Sequence, residues 1–227
     1  MELRTDLDLK LDMDLVLWCQ GDDPSGRIQR DEQLELNGEL LVQARQLIQP
    51  AIVYDVFPLV EVSEDTVVFD GQASFHGHLL ADRFVLAEEV ALALCTIGGG
   101  LEEQVSVYRT QGEETRAILL DGIGTAAVGQ LAQIAQDLIR AVAAGRGWKA
   151  SAAFQPGQID WPLYDQRVFF QLLPAETLGL TLDANYLMVP PKSVSLAIGL
   201  GQEMLPLAME SACKHCAVRD DCRFRRD

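Results

Sequence analysis

Leu119, Ile123, Ala127, Leu131, Ile134, Leu138 and Val142 recur at spacings of three and four, the period of an amphipathic helix. They predict one helix of about seven turns, which Gly145 and Gly147 end. Such a helix must lay its apolar stripe against another layer, and the rest of the chain has to supply that layer. Residues 2–17 alternate Leu7, Leu9, Leu11, Met13, Leu15 and Leu17 with Asp6, Asp8, Lys10, Asp12 and Asp14, the pattern of a strand with one dry face. Residues 21–26 are turn chemistry, and an acidic helix follows over 31–49, closed by Pro50. Segments 51–62 and 66–76 read as two strands, the first an edge or irregular one because it carries Pro58. Residues 82–94 are rich in helix formers with a Glu pair and read as a helix. Thr96, Ile97 and Gly98 to Gly100 then form a flexible connection into another helix near Leu101. There is no internal repeat and no low-complexity linker. The expected organisation is one α+β domain over 1–208 and a short cysteine-rich tail over 209–227.

Charge narrows the function. Against 34 acidic residues stand 18 Lys plus Arg, a formal net charge of -16 and a pI near 4.5. Nucleic acid and anionic membrane surfaces are poor partners for that surplus, since both are bound through clustered cations. The apolar stretch 85–97 is broken by Glu88 and Glu89, and no apolar run approaches the roughly 20 residues of a spanning helix. The first residues carry no secretory pattern, so the expected compartment is the cytoplasm.

Three of the five cysteines, Cys213, Cys216 and Cys222, fall in the last fifteen residues as a CxxC with a third thiol behind it. In a reducing compartment that spacing suits one soft metal centre. An iron-sulfur cluster is expected, with zinc as the alternative and the fourth ligand from His215, Cys19 or Cys95. The alternative without metal is a redox-sensitive tail. His76 and His78 form an HxH pair on a predicted strand with no third ligand at suitable spacing, and read as exposed or partner-paired histidines. Residues 117–127 fit a short strand followed by GxGxxA, but the helical period already starts at Leu119 and no acidic residue ends a second strand. Gly122 and Gly124 therefore read as sites of close helix packing. No Walker A sequence and no HExxH occurs.

The turn over 154–163 leads into a helix over 164–173, and several separate motifs there resemble one family. They are Pro156-Gly157, Trp161 to Leu163, Gln166, Leu172-Leu173, Gly179 to Leu182, Met188 to Pro190, and Lys192 to Ser195. Upstream, Thr96 to Gly98 with Leu101-Glu102, and Asp121 to Gly124, occur in the same order. The chain is similar over roughly residues 40–200 to the activation domain of cobalamin-dependent methionine synthase, in particular its small free-standing members. The tail ending in Cys222-Arg223-Phe224-Arg225 resembles theirs as well.

The resemblance implies an α+β fold with a twisted antiparallel sheet and packed helices. It also implies a domain that binds S-adenosylmethionine and docks over a cobalamin module, so that inactive cob(II)alamin is reduced and remethylated. The expected role is that of an accessory protein for a corrinoid (B12) methyltransferase, with cobalamin met only through that partner and no complete active site in this chain. A reductant protein is a possible further partner, although an acidic flavodoxin-like donor would meet like charge. The alternative is a noncatalytic binding module that has lost S-adenosylmethionine. In the family a motif RxxPGY holds that ligand. Here Ala153 stands at the arginine and Gln158 at the tyrosine, and Gly129 stands where the long helix has a glutamate. Two lost charge-assisted contacts of about 1.5–3 kcal/mol each weaken binding by roughly 10²–10⁴. The residues left to line a cofactor cleft are Pro156, Gly157, Gln158, Lys192, Ser193 and Ser195.

Overall fold

The computed structural model describes residues 1–21, 31–69, 73–158 and 160–204. In chain order its elements are β1 (Glu2–Arg4), α1 (Met13–Gln20), α2 (Asp31–Leu47), β2 (Ala51–Val62), β3 (Thr66–Phe69), β4 (Ala73–His76), α3 (His78–Phe84), β5 (Glu89–Thr96) and α4 (Gly100–Thr110). There follow α5 (Glu114–Gly145), β6 (Lys149–Ala150), α6 (Gln166–Leu172), β7 (Thr181–Leu182), β8 (Met188–Val189) and β9 (Ser193–Gly201), with single 3-10 turns at Leu163–Asp165 and Ala175–Leu178. Among the described residues seven strands form one antiparallel sheet in the order β4-β3-β2-β5-β9-β6, with β1 on β2, and β7 and β8 make a separate ribbon. The α+β architecture with an antiparallel sheet is the one expected.

The sheet separates two cores. On one face Ala91, Ala93 and Cys95 of β5 and Leu196, Ile198 and Leu200 of β9 meet α1, α2, α4 and α5. On the other, Val90, Leu92 and Leu94 meet an aromatic cluster of Phe69 and Phe75 from β3 and β4, Phe84 from α3, Phe154 and Trp161 from the segment between β6 and α6, and Phe169 from α6. β5 is therefore buried on both sides. Its sequence, EVALALCT, shows no polar alternation, and for that reason 82–94 reads as a helix in sequence; the helix, α3, ends at Phe84, residues 85–88 turn the chain, and strand β5 starts at Glu89.

The N-terminal expectation is also corrected. Only Glu2–Arg4 pairs as a strand, on β2. Leu7, Leu9 and Leu11 pack against the helical-side core from an extended segment without ladder bonds, and the chain turns helical at Met13. The Asp12 carboxylate accepts the Leu15 N–H at 2.8 Å as an N-cap, and Gly21, left-handed at φ 90°, closes the helix. Those caps decide the matter over a leucine pattern that fits either period. Of the two readings of Pro58, the irregular strand holds and the edge strand does not, since β2 has neighbours on both sides. Its N–H-less nitrogen falls where β2 passes from β1 to β3, beside a register shift between Leu59 and Glu61, so no ladder bond is lost there.

α5 runs about nine turns, longer than expected. Its stripe drifts: Leu119, Ile123, Ala127 and Leu131 are buried, and then Ala135, Ile139 and Ala143 take over while Ile134, Leu138 and Val142 are half-buried. The helix is long and apolar enough to cross a membrane by length and composition, but 56% of its most apolar stretch is buried against the sheet and its neighbours, as in a core helix. Gly122 and Gly124 lie inside it, in no strand-to-helix loop. The Gln20 aliphatic stem occupies the space over Gly122, while its amide pairs reciprocally with the buried Asn37 amide (2.8 and 3.1 Å) and also donates to the Leu119 carbonyl (3.0 Å), so that one side chain joins α1, α2 and α5. A Cβ at Gly124 would stand 2.8 Å from Leu101 Cδ2 and 3.2 Å from Lys192 Cε. At the far end Arg146 forks onto Glu89 (2.6 and 2.9 Å) and covers the Trp148 ring at 4.0 Å.

Two glycines of one helix are thus expected to respond with opposite sign. Gly129 is exposed with nothing within 4 Å of an added Cβ, so Gly129→Ala gains about 0.5–1 kcal/mol of helix propensity. Gly124→Ala drives a methyl into Leu101 and is expected to lower stability by about 1–2 kcal/mol in urea unfolding, the overpacking outweighing that gain.

Candidate functional site

The residues singled out in the second half of the chain gather on the aromatic side of the sheet. A buried carboxylate organises the approach. Asp165 is 0% exposed and accepts three hydrogen bonds, from the His76 N–H (2.7 Å), His76 Nδ1 (3.1 Å) and Trp161 Nε1 (3.1 Å). It ties the turn before α6 to the end of β4. Trp161 is accordingly a core anchor, packed on Phe75 and Phe169. His76 and His78 do not share a face: the strand ends at His76, Gly77 turns the chain at φ 146°, and His78 opens α3 with Nδ1 3.0 Å from the Glu64 carbonyl. Both are partner-paired histidines, as expected.

With Asp165 held, the next residue, Gln166, turns to the other side. Its Oε1 accepts from Ser195 Oγ at 3.0 Å, and both side chains are at most 3% exposed. They form the wall of a cleft of about 240 Å³, closed on one side by Gln155, Pro156 and Leu163 and on the other by 186–188, Pro191 and Ser193 to Ser195. Ser193 Oγ donates to the Pro190 carbonyl at 2.7 Å and lies 2.8 Å from Thr96 Oγ1, which fixes the start of β9 against the end of β5. The ribbon tip is braced by Asp183, whose Oδ1 accepts the N–H groups of Asn185 and Leu187, both at 2.8 Å. That brace holds Tyr186 in the left-handed region at φ 63°, rare for a bulky side chain, and the residue is 40% exposed where it lines the cleft.

Of the residues picked out in sequence, Pro156, Ser193 and Ser195 line this cleft together. Gly157 and Gln158 lie on the outer side of the same turn: Gly157, at φ 85°, donates its N–H to the Trp161 carbonyl (2.8 Å), and the Gln158 amide reaches Gln155 (3.3 Å). Lys192 points the other way, into the seam between α4 and α5. Its Nζ is 3.0 Å from Asp121 Oδ1, 3.1 Å from Thr125 Oγ1 and 3.7 Å from Glu102 Oε1. Gln155, Tyr186, Leu187 and Pro191 are the lining residues that lie outside the sequence motifs. Gln166 was legible as a motif residue, and nothing in the sequence said that its side chain would face Ser195.

The cleft is electrically neutral. Its polar groups are two amides, two serine hydroxyls and one phenol, and among the described residues no charged side chain lines it. A zwitterionic amino-acid moiety, such as S-adenosylmethionine carries, would find no counter-charge at this wall. Ala153 packs against the helical-side core and Gly129 faces open space, so neither position supplies one. A larger depression of about 700 Å³ lies between residues 7–12 and Arg45, Ile48 and Pro50, but it is walled by the unpaired N-terminal segment and holds none of the motif residues.

Cys213, Cys216 and Cys222, like His215, lie outside the described residues. Among the described ones, no group of three or more His, Cys, Asp or Glu side chains is placed to hold a metal ion. Cys95 is sealed in the helical-side core, where burial pushes its thiol pKa up, and that removes it as a distant fourth ligand. Cys19 is half-buried on α1 against the same core.

No protein-family model matches the chain, and no curated protein matches it by sequence. The fold is that of a solved structure, the MetH reactivation domain bound to AdoHcy. The two superpose with a TM-score of 0.63 over 94% of this chain and 78% of that one, at 13% sequence identity. Likeness at that identity shows the fold, and agrees with the architecture the motifs imply.

Asp165 is the residue whose loss should cost the site most. Asp165→Ala leaves Trp161 Nε1 and the His76 N–H without an acceptor, and stability is expected to fall by about 3 kcal/mol. Asp165→Asn keeps one acceptor oxygen and is expected to cost less, both read by tryptophan fluorescence in urea.

Proposed function

We propose that this chain is an accessory domain that docks on a corrinoid-binding module and assists the reductive reactivation of a corrinoid methyltransferase. The observation that carries the reading is the fold shared with a MetH reactivation domain along nearly the whole chain, reached independently from ordered motifs at 156–157, 161–163, 179–182 and 188–195. In this reading the domain supplies a surface and a ligand cleft, the partner supplies the cobalamin, and no residue of this chain performs the methyl transfer. The net charge of -16 disfavours an acidic protein donor docking on this domain. The three tail cysteines are then the redox element, an iron-sulfur cluster within 209–227 that relays electrons; this part rests on the CxxC spacing alone.

A second reading is favoured by the neutral cleft and by Ala153, Gln158 and Gly129: a noncatalytic binding module that keeps the fold, has lost S-adenosylmethionine, and holds a structural metal in its tail. The two readings make different predictions. Under the first, the full chain co-purifies with a corrinoid-binding module loaded with cob(II)alamin, and failure with both cob(II)alamin and methylcobalamin forms would sink it. Protein purified without oxygen should carry iron and acid-labile sulfide in equal amounts, and Cys216→Ser should abolish reductive reactivation while leaving the unfolding midpoint in place. Zinc without sulfide, together with a lowered midpoint in Cys216→Ser, would establish the second.

A further inference from the structure

The residues after β1 leave the sheet but stay extended. Ladder pairing stops at Arg4, yet burial keeps a period of two: Asp6, Asp8, Lys10 and Asp12 are exposed, Leu7 and Leu9 are half-buried, and Leu11 is buried against the helical-side core. That period is the mark of a strand-like backbone. Among the described residues the main chain of 6–11 makes one hydrogen bond, from Gln130 Nε2 on α5 to the Lys10 carbonyl at 2.5 Å. In an extended chain the N–H and C=O of one residue point to the same edge, and those of its neighbours to the opposite edge. The Lys10 groups therefore face α5, and those of Leu7, Leu9 and Leu11 face away from it.

The depression of about 700 Å³ lies on that second edge. It is lined by six consecutive residues of the segment, Leu7 to Asp12, against Arg45, Ile48 and Pro50, and by no residue of α5. Successive side chains point to opposite faces, so a space that touches all six runs along the backbone itself. One wall of the groove is thus an open strand edge, which is a template for a further strand and is normally covered or shortened in natural proteins. Charge states what would cover it. The outward residues read Asp6, Asp8, Lys10, Asp12. A second copy paired antiparallel about Leu9 would gain Asp8 opposite Lys10 but set Asp6 opposite Asp12; paired about Lys10, it would set Asp8 opposite Asp12 and lysine on lysine. A parallel copy in register would set like on like throughout, and like charges directly opposite are destabilising. The complement is a peptide with cations opposite the three aspartates, one acidic residue opposite Lys10, and apolar side chains between them to lie with the leucines, Ile48 and Pro50. Arg45, on the far wall, is a second cation in favour of that one acidic residue.

From this we infer that residues 6–12 are a docking edge for a partner protein, which adds an extended, mainly basic segment to them as an antiparallel strand. The edge lies on the helical side of the sheet, and the cleft at Gln166 on the aromatic side. The inference therefore rests neither on the accessory reading nor on what that cleft binds.

Fluorescence anisotropy of the labelled peptide KVEVKVK, which sets those charges in antiparallel register, tests it against the full chain. The peptide is expected to bind about tenfold more tightly than the charge-reversed EVKVEVE. N-methylation of its central valine removes the donor to the Leu9 carbonyl and is expected to weaken binding about tenfold, whereas attraction by charge alone would be unmoved. Asp8 is exposed, so Asp8→Lys should leave the unfolding midpoint in place. It is expected to weaken KVEVKVK about fivefold, and KVEVEVK, with glutamate opposite position 8, should bind the variant as tightly as KVEVKVK binds the parent. The inference is overturned by no binding of KVEVKVK up to millimolar concentration, by equal binding of EVKVEVE, or by indifference to N-methylation or to the Asp8 exchange. It is also overturned if the chain sediments as a dimer that the peptide splits, which makes a second copy the occupant. Displacement of KVEVKVK at lower concentration by a peptide of residues 217–227 overturns it as well, since the chain's own tail would then fill the groove.

Discussion

The pairing of β5 with β9 is the contact on which everything else rests. Eight residue pairs run from Glu89↔Leu200 to Thr96↔Ser193, and both faces of the ladder are sealed. Side-chain size alternates across it: Leu92 lies opposite Ala197, Ala93 opposite Leu196, Ala91 opposite Ile198 and Val90 opposite Gly199. Each face thereby keeps a nearly constant depth, which lets a nine-turn helix lie on one side and an aromatic cluster on the other. A larger residue at Ala93 or Ala197 would push a whole layer outward.

The same ladder sets the site. Its last pair, Thr96 and Ser193, carries the hydroxyl contact that fixes the start of β9, and two residues on Ser195 meets Gln166. The cleft wall is thus the continuation of the most buried strand, while the opposite lip is a small ribbon held by one aspartate. A rigid wall and a braced lip are the arrangement expected of a preformed site. Lys192 sits between the two and contributes to neither: three residues from Ser195, it is spent on Asp121 and Thr125 at the α4–α5 seam. The fold is shared with a MetH reactivation domain, and among the described residues the cleft of this chain is lined by neutral side chains.

The long helix, the acidic α2 and the turn before α6 were legible from residue types, because periodicity, caps and Pro-Gly chemistry act over a few neighbours and leave their mark in the string itself. So was the role of Gly122 and Gly124 as packing sites. What the tertiary structure alone decided begins with β5, where Ala, Leu and Val face two cores at once and the strand period vanishes from the composition. It includes the N-terminal leucines, whose alternation is satisfied half by an unpaired extended run and half by a helix. It also includes every contact of the site. The direction of Lys192, the approach of Gln166 to Ser195 across 29 positions, and the burial of Asp165 beneath His76, 89 positions away, depend on which strands become neighbours. That choice is made by burial summed over the whole sheet, and no window of sequence contains it.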